Sequence, residues 1–152
     1  MIHFIIDGNN LIGKLKITKT PHSLGKYSNR SGLVNLLNRY FAGKKMNMSL
    51  HFDGHFNSEL HLSKGKIIYS EKHSSDNKIK IEIEKSKNPK LITLISSDRN
   101  LADYARLNSC KVIKSEKFVL EIQKIFEKNE EFEQVKILEN EKELFIKLFT
   151  NN

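Results

Sequence analysis

The sequence of 152 residues has one cysteine, no tryptophan and no long apolar run, and these shortages exclude several classes of protein. The lone Cys110 cannot form an internal disulfide, so a reducing compartment is expected. Polar and charged residues begin at Asp7, too early for the apolar core of a secretion signal. No stretch approaches the roughly 20 apolar residues that a membrane-spanning helix needs. We therefore expect a cytoplasmic protein without a membrane segment.

The chain also lacks internal repeats and any sign of a second domain. With 38% hydrophobic residues in 152, it is long enough to bury most of its apolar surface without disulfides or metals. We expect one domain over residues 1–152.

The formal net charge is +8, and the positive excess lies in the N-terminal third. Residues 1–50 contain eight Lys and Arg against one acid, whereas residues 101–152 contain nine against ten. A basic surface beside a small acidic site suits a polyanionic substrate, because Lys and Arg neutralise phosphates while carboxylates hold a cation. A lysine-rich solubilising surface explains the charge equally well, so the charge alone does not decide.

Short apolar runs alternate with amphipathic stretches along the chain, which indicates an α/β fold with a mainly parallel central sheet. Buried strands are predicted at residues 2–6, 48–52, 66–70, 91–95 and 110–113. Helices are predicted from residue 30, over 76–87, from about residue 100 and around 118–126. An acidic stretch at 129–133 is expected to link to a last helix, over about 139–149, that packs on the core. Residues 13–29 have little periodicity and are expected to form a long basic loop.

The segment around residues 76–87 has two possible structures. Its isoleucines at 79, 81 and 83 alternate with charged residues, which favours a strand. Acid–base pairs four residues apart, such as Lys78 and Glu82, and a preceding serine favour a helix. Since neighbouring parallel strands need a crossover connection, we predict a helix.

Aspartates stand at the ends of three predicted strands. Asp7, Asp53 and Asp98 follow these strands, and Asp76 stands at the predicted start of a helix. Because the carboxyl ends of parallel strands share one edge of the sheet, these acids are expected to converge. Clustered carboxylates repel unless they are protonated or bridged by a cation, and hard oxygen ligands select Mg²⁺ or Mn²⁺. Such ions activate water for phosphodiester hydrolysis. Taken singly, each aspartate is equally compatible with a turn or a helix cap.

Several neighbouring side chains are candidates for orienting the acids or binding substrate. Asn10 is expected to hold Asp7 or a metal-bound water. Ser96 and Ser97 are expected to donate to a phosphate or to cap the following helix, and Arg99 to meet a phosphate or lie exposed. Lys14 and Arg30 belong to a basic segment, residues 14–45, that suits RNA.

Several segments of the chain, in order, resemble the motifs of a known family. Residues 5–12, Ile-Ile-Asp-Gly-Asn-Asn-Leu-Ile, resemble the opening "VDGxNxI" of the NYN-domain nucleases, the YacP-like branch of the PIN-like fold. Arg30 with its leucine-rich helix resembles the family's first helix, and residues 50–54 its "VFDG" strand end. Residues 75–79 stand where the family has an acid opening a helix, and residues 96–102 resemble "TSDRxLA". Residues 141–149 resemble its closing helix, so the resemblance covers nearly the whole chain.

The resemblance implies a three-layer PIN-like, Rossmann-like sandwich and metal-dependent cleavage of RNA. Asp7, Asp76 and Asp98 correspond to the principal acids, and Asp53 is a looser match to a metal ligand. The expected cofactor is Mg²⁺ or Mn²⁺, and the expected partner is RNA, single-stranded or structured, free or ribosome-associated. Asn77 stands where many relatives have a second acid. This departure leaves open weaker metal binding, one ion rather than two, or lost activity.

Three other interpretations compete with a ribonuclease. Residues 8–14 satisfy most of the phosphate-binding loop G-x-x-x-x-G-K, but Leu15 replaces the Ser or Thr that would bind Mg²⁺. His51, His55 and His61 suggest zinc, but no cysteine pair completes the ligands, so solvated loop histidines are expected. The third is a PIN-like domain that binds RNA or a ribosomal partner without cutting it.

Overall fold

Five parallel strands form one sheet in the order β3-β2-β1-β4-β5. The computed structural model describes residues 1–17 and 24–150, except for the side chains of 131–133. The strands are β1 (Ile2–Asp7), β2 (Met46–Phe52), β3 (Gly65–Tyr69), β4 (Ile92–Ile95) and β5 (Lys111–Ile113). The helices are α1 (Gly8–Ile17), α2 (Arg30–Tyr40), α3 (Ser75–Lys85), α4 (Arg99–Leu107) and α5 (Ser115–Thr150), with short 3-10 helices at Leu24–Tyr27 and Pro89–Leu91.

The sheet is covered on both faces, which explains the continuous apolar runs of its central strands. Successive residues Ile5 and Ile6 of β1 are both fully buried, as is typical of parallel sheets. On one face Ile5 packs with side chains of α3 and α4, including Ile79 and Leu101. On the other face Phe4 of β1, Tyr40 of α2 and Phe118 of α5 meet around Phe41, the residue that follows α2. These layers confirm the predicted three-layer α/β sandwich with a parallel central sheet.

The predicted loop over residues 13–29 is wrong in its first part, because α1 begins directly after β1 and continues to Ile17. Residues 18–23 lie outside the described part of the chain. Gly8 is needed for close packing, since a Cβ there would lie 2.6 Å from the His51 carbonyl oxygen and from the Phe52 ring. Both glycines and the lysine of the phosphate-loop motif lie within α1, so residues 8–14 do not form such a loop.

The ambiguous segment is a helix, as predicted. The hydroxyl of Ser74 caps α3 by accepting a hydrogen bond from the Asn77 amide at 3.2 Å. Ile79 and Ile83 are buried against the sheet, while Ile81 is 45% exposed. The alternating isoleucines therefore contribute only every fourth residue to the core.

A carboxylate on α3 ties this helix to β1 and β2. Glu82 contacts the Nε2 atoms of His3 at 3.1 Å and His51 at 3.2 Å. Burial raises the pKa of the Glu82 carboxyl, but hydrogen bonds with His3 and His51, the His51 charge and a hydrogen bond with Ser49 lower it to about 2. His51 is 1% exposed, so the expectation of a solvated loop histidine is wrong at this position.

The last helix is longer than predicted. The acidic stretch at 129–133 does not interrupt α5, which is continuous from Ser115 to Thr150 and leaves no separate helix at 139–149. The chain divides into a compact unit of Met1–Val119, which contains the sheet, and a second unit from Leu120 onward. The single domain and the packing of the terminal turns on the core stay predictions. Among the described residues, no helix is long and apolar enough to cross a membrane.

Candidate functional site

The four predicted acids lie along the carboxyl edge of the sheet. Asp7 is the last residue of β1, Asp53 follows β2, and Asp98 lies three residues after the end of β4. Asp76 is the second residue of α3, which follows β3 in the chain. The parallel sheet therefore places Asp53, Asp7 and Asp98 after the neighbouring strands β2, β1 and β4 along one edge, and the start of α3 carries Asp76.

Asp7 is the most enclosed of these acids, with 5% of its surface exposed. Its Oδ2 atom accepts a hydrogen bond of 2.8 Å from the Ser96 hydroxyl. Burial raises the pKa of the Asp7 carboxyl, and the negative charges of Asp76 and Asp53 raise it further. Hydrogen bonds from Ser96 and from the Asn10 amide oppose this rise without cancelling it. The charged form of Asp7 is therefore held in an unfavourable environment.

Asp76 is subject to the same repulsion. Burial raises the pKa of its carboxyl, and the charges of Asp98 and Asp53 add to the rise, while Lys80 opposes it. Asp76 therefore interacts with all three other acids of the set, and Asp7 interacts with Asp76 and Asp53.

Asp98 and Asp53 are fixed by backbone amides. The Asp98 carboxylate caps α4 by accepting from the Leu101 amide at 2.9 Å, and its own amide donates to Ser96 Oγ at 3.1 Å. Ser96 thus links Asp7 to Asp98. The Asp53 carboxylate accepts from the Ser75 amide at 3.0 Å, beside Asp76 on α3.

The donor set consists of carboxylate oxygens, which suit hard cations such as Mg²⁺ and Mn²⁺. Within residues 1–17 and 24–150, no three His, Cys, Asp or Glu side chains are already arranged to hold a metal ion. Mg²⁺ binds proteins through only one or two carboxylates, together with waters and substrate phosphates. Ser75 is 3% exposed, and its hydroxyl has no hydrogen-bond partner among the described residues. This unsatisfied hydroxyl belongs to the residue that precedes Asp76 and whose backbone amide binds Asp53.

The side chains expected to orient the acids mostly hold the surrounding loops. Asn10 Oδ1 accepts hydrogen bonds from the Ser97 amide at 3.0 Å and the Ser115 hydroxyl at 2.6 Å. Its backbone amide, and not its side chain, contacts Asp7. The Ser97 hydroxyl accepts from the Ser115 amide at 2.9 Å and donates to the Glu116 carboxylate. Asn10 and Ser97 therefore join the ends of β1 and β4 to the start of α5.

Arg30 is placed against the loop that contains Asp53. Its guanidinium donates to the carbonyl oxygens of Asp53 and of His55, the latter at 2.9 Å. It also lies over the rings of Phe52 and Tyr69, 5.2 and 5.4 Å from their centroids. Gly54, at a φ of 84°, gives this loop its left-handed turn. Arg30 therefore positions the backbone beside Asp53.

The other two predicted cations lie on the helices that flank the acids. Lys14, on α1, is one of the charges that lower the pKa of the Glu116 carboxyl, after the hydrogen bonds at that carboxyl. Arg99 is the exposed first residue of α4 and lines a cavity of about 530 Å³ with Ser96 and Ser97. These cations therefore lie on the β1 and β4 side of the edge.

Sequence analysis missed several residues of this network. Asn9 accepts a hydrogen bond from the Asp53 amide at 2.9 Å. Ser115 and Glu116 meet Asn10 and Ser97 from the start of α5, far along the chain. Asn9 stands at a variable position of the "VDGxNxI" motif, so that pattern gave no signal for it. Serines at the start of a helix are ordinary caps, and nothing local marks Ser75 or Ser115 as part of a site.

Comparison with known proteins agrees with the fold. A search of curated proteins finds no match. Two solved structures are similar at 16% identity: Rae1 (YacP) from Bacillus subtilis and its W164L mutant. The first gives a TM-score of 0.61 over 93% of this chain and 84% of that chain, and the mutant gives 0.62 over 86% and 80%. The profile of the YacP-like NYN domain matches residues 4–150. The chain therefore belongs to the YacP-like NYN domain family.

Proposed function

We propose that this protein is a metal-dependent endoribonuclease that hydrolyses phosphodiester bonds in RNA. The proposed ligands of Mg²⁺ or Mn²⁺ are Asp7, Asp76 and Asp98, with Asp53 in a supporting position. The observation that supports this most is the convergence of four carboxylates at one sheet edge, with the pKa raised at both Asp7 and Asp76. A folded protein has no structural need for such repulsion, whereas a cation offsets it.

The residues present fit a divalent cation by the chemistry of their donors. A cation bound there would lower the pKa of a bound water and offset charge on the phosphate under attack. Asp7 is oriented for this role by the Ser96 hydroxyl and the Asn10 amide. Asp98 is immobilised as the cap of α4, and its carboxylate accepts from Leu101. The Ser75 hydroxyl, buried and without a partner among the described residues, would be satisfied by an internal water.

The basic side chains around this edge suit the RNA backbone. We assign phosphate contacts to Lys14 and Arg99, which lie on α1 and at the start of α4. Arg30 acts indirectly, because its guanidinium holds the carbonyl groups beside Asp53. Association with ribosomes stays a prediction.

Cleavage of a labelled single-stranded RNA in Mn²⁺ or Mg²⁺ tests this proposal. We expect cleavage that a chelator stops and that Asp98→Asn lowers by more than about 100-fold, because even partners of metal ligands contribute about 10–100-fold. Asparagine caps helices as well as aspartate does, so α4 should form in the variant. Glu59→Gln removes the same charge from an exposed loop and should cleave like the unaltered protein. Thermal unfolding of each variant checks its fold.

The same assay distinguishes a non-catalytic RNA-binding module. That alternative is favoured by the absence, among the described residues, of three acids already arranged around a metal. It predicts RNA binding without turnover in any divalent ion. Cleavage that survives both chelation and Asp98→Asn would instead contradict the metal mechanism.

A further inference from the structure

A basic cavity borders the acid cluster on the β4 and β5 side of the sheet edge. Its volume is about 530 Å³, and it is lined by Ser96, Ser97, Arg99, Ala102, Asp103, Arg106 and Lys114. Three of these side chains are cations and one is an acid. Asp103 contacts Arg106 at 3.5 Å, but both side chains are more than half exposed. Exposed pairs of this kind are weak, so they are readily exchanged for contacts with a ligand.

The cavity adjoins the acid cluster at two of its lining residues. Ser96 lines the cavity and also donates to the Asp7 carboxylate at 2.8 Å. Arg99, another lining residue, directly follows Asp98. A group bound in the cavity therefore lies beside the proposed cation ligands and not at a distant surface.

In the strand order, the cavity lies on the β5 side of the acids. Asp53, Asp7 and Asp98 follow β2, β1 and β4, whereas Lys114 follows β5, the last strand of the sheet. An extended polyanion lying along this edge would pass from the carboxylates directly to the cations. Glu116 lies at the Ser97 side of this region, and Lys114 is among the charges that lower the pKa of its carboxyl. With Glu116 included, the cations still outnumber the acids.

We propose that this cavity is the subsite for the phosphate and nucleotide next to the scissile bond of RNA. Arg99, Arg106 and Lys114 bind the flanking phosphate, and the Ser96 and Ser97 loop separates it from the acid cluster. Arg106 and Lys114 are thereby assigned to substrate binding. The inference rests on the proposed ribonuclease function, because it takes the acid cluster as the cutting position.

Lys114→Gln and Arg106→Gln test this subsite. Both side chains are exposed, so neither change should unfold the protein. The matched control is Lys90→Gln, an exposed lysine that precedes β4 and so lies at the opposite edge of the sheet. The probe is a fluorescently labelled oligouridylate, whose Kd is measured by anisotropy in chelator over a range of salt concentrations. KM and kcat for its cleavage are measured in Mn²⁺.

We expect Lys114→Gln and Arg106→Gln each to weaken binding by about 3- to 10-fold. Each should also lower the slope of log Kd against log salt by about 0.7, the value for one phosphate contact in single-stranded nucleic acid. KM should rise with kcat within about twofold, since the cavity touches the neighbouring phosphate and not the one that reacts. Lys90→Gln should change neither quantity.

The binding and cleavage measurements distinguish failure of the subsite proposal from failure of the ribonuclease proposal. Normal cleavage with an unchanged KM and salt slope in both variants would overturn the subsite and leave the ribonuclease proposal intact. A lower salt slope without cleavage in any divalent ion would support the cavity as an RNA site and overturn the ribonuclease proposal. Equal losses with Lys90→Gln would show only general attraction to a basic surface and would overturn the subsite.

Discussion

Asp7 combines burial with repulsion, two features that disfavour a charged carboxylate. It has 5% of its surface exposed, and its neighbours Asp76 and Asp53 add negative charge. Hydrogen bonds from Ser96 and the Asn10 amide stabilise the charged carboxylate and offset part of this penalty. Residues held against their own stability are found where binding or catalysis requires them. The environment of Asp7 thus favours a role with a cation over a role in folding alone.

Replacement of this carboxylate should stabilise the protein in the absence of metal. The pKa of Asp7 is raised in the folded state, so the folded protein binds its proton more readily than the unfolded chain, and stability falls as pH rises through the window above 3.8. Above that window the penalty is complete. At pH 7 and in chelator, Asp7→Asn should therefore raise the melting temperature by roughly 2–4 °C, equivalent to about 1 kcal/mol.

Thermal unfolding at pH 7 and at pH 3 measures this effect. The gain should be smaller at pH 3, because the aspartate is then protonated in both states. The asparagine of this variant retains an oxygen that accepts from Ser96, so this hydrogen bond is not the cause of a loss. A melting temperature lowered at pH 7 would show that Asp7 is a structural residue whose charge the fold tolerates.

At the scale of secondary structure, α3 positions Asp76 at the edge of the sheet, and Glu82 attaches this helix to the sheet. Glu82 contacts His3 on β1 and His51 on β2, so one side chain joins two central strands to α3. Arg30 of α2 likewise holds the loop that contains Asp53, through hydrogen bonds to carbonyl oxygens of that loop. These contacts therefore hold the helix that carries Asp76 and the loop that carries Asp53.

Glu82→Gln should destabilise the protein in a way that depends on pH. The folded pKa of Glu82 is lowered to about 2 from 4.5, so its stabilisation is present above pH 4.5 and is lost as pH falls toward 2. The variant should lower the free energy of unfolding at pH 7 by roughly 1–3 kcal/mol, the range for hydrogen bonds to charged groups. Near pH 2 the two proteins should differ little.

Urea unfolding across this pH range measures the difference. Glu84→Gln, an exposed position on the same helix, serves as the control and should stay within about 0.5 kcal/mol. Glutamine at this position can still accept the hydrogen bond from the Tyr104 hydroxyl. An equal loss at pH 7 and pH 2 in Glu82→Gln would mean that the glutamate acts through packing and not through its charge.

At the scale of the whole molecule, the sheet and the edge that collects the acids follow from the sequence. Parallel strands place their carboxyl ends together, so Asp7, Asp53 and Asp98 could be assigned to one edge before any coordinates. Asp76 was recognised at the predicted start of a helix, and the family motifs supported both the acid and the helix. These features are local and periodic, which is why sequence predicts them.

Other features depend on tertiary contacts and escaped prediction. Gly8 was part of a near match to a phosphate-binding loop, but its small size serves close packing with Phe52, and α1 starts there. The acidic stretch at 129–133 suggested a linker, yet glutamate is a good helix former and α5 continues through it. The contact between Asn10 and Ser115 joins distant parts of the chain, so the sequence around neither residue indicates it. Side-chain networks of this kind require the fold to be known.

The most direct test of the central claim is the change in melting temperature when Mn²⁺ is added to chelator-treated protein. A cation that binds only the folded state should raise it by roughly 5–10 °C at 100 times its dissociation constant. We predict this shift in the unaltered protein and in Glu59→Gln, and its loss in Asp98→Asn. An equal shift in Asp98→Asn, or none in the unaltered protein at millimolar Mn²⁺, would contradict a divalent cation held by the clustered aspartates.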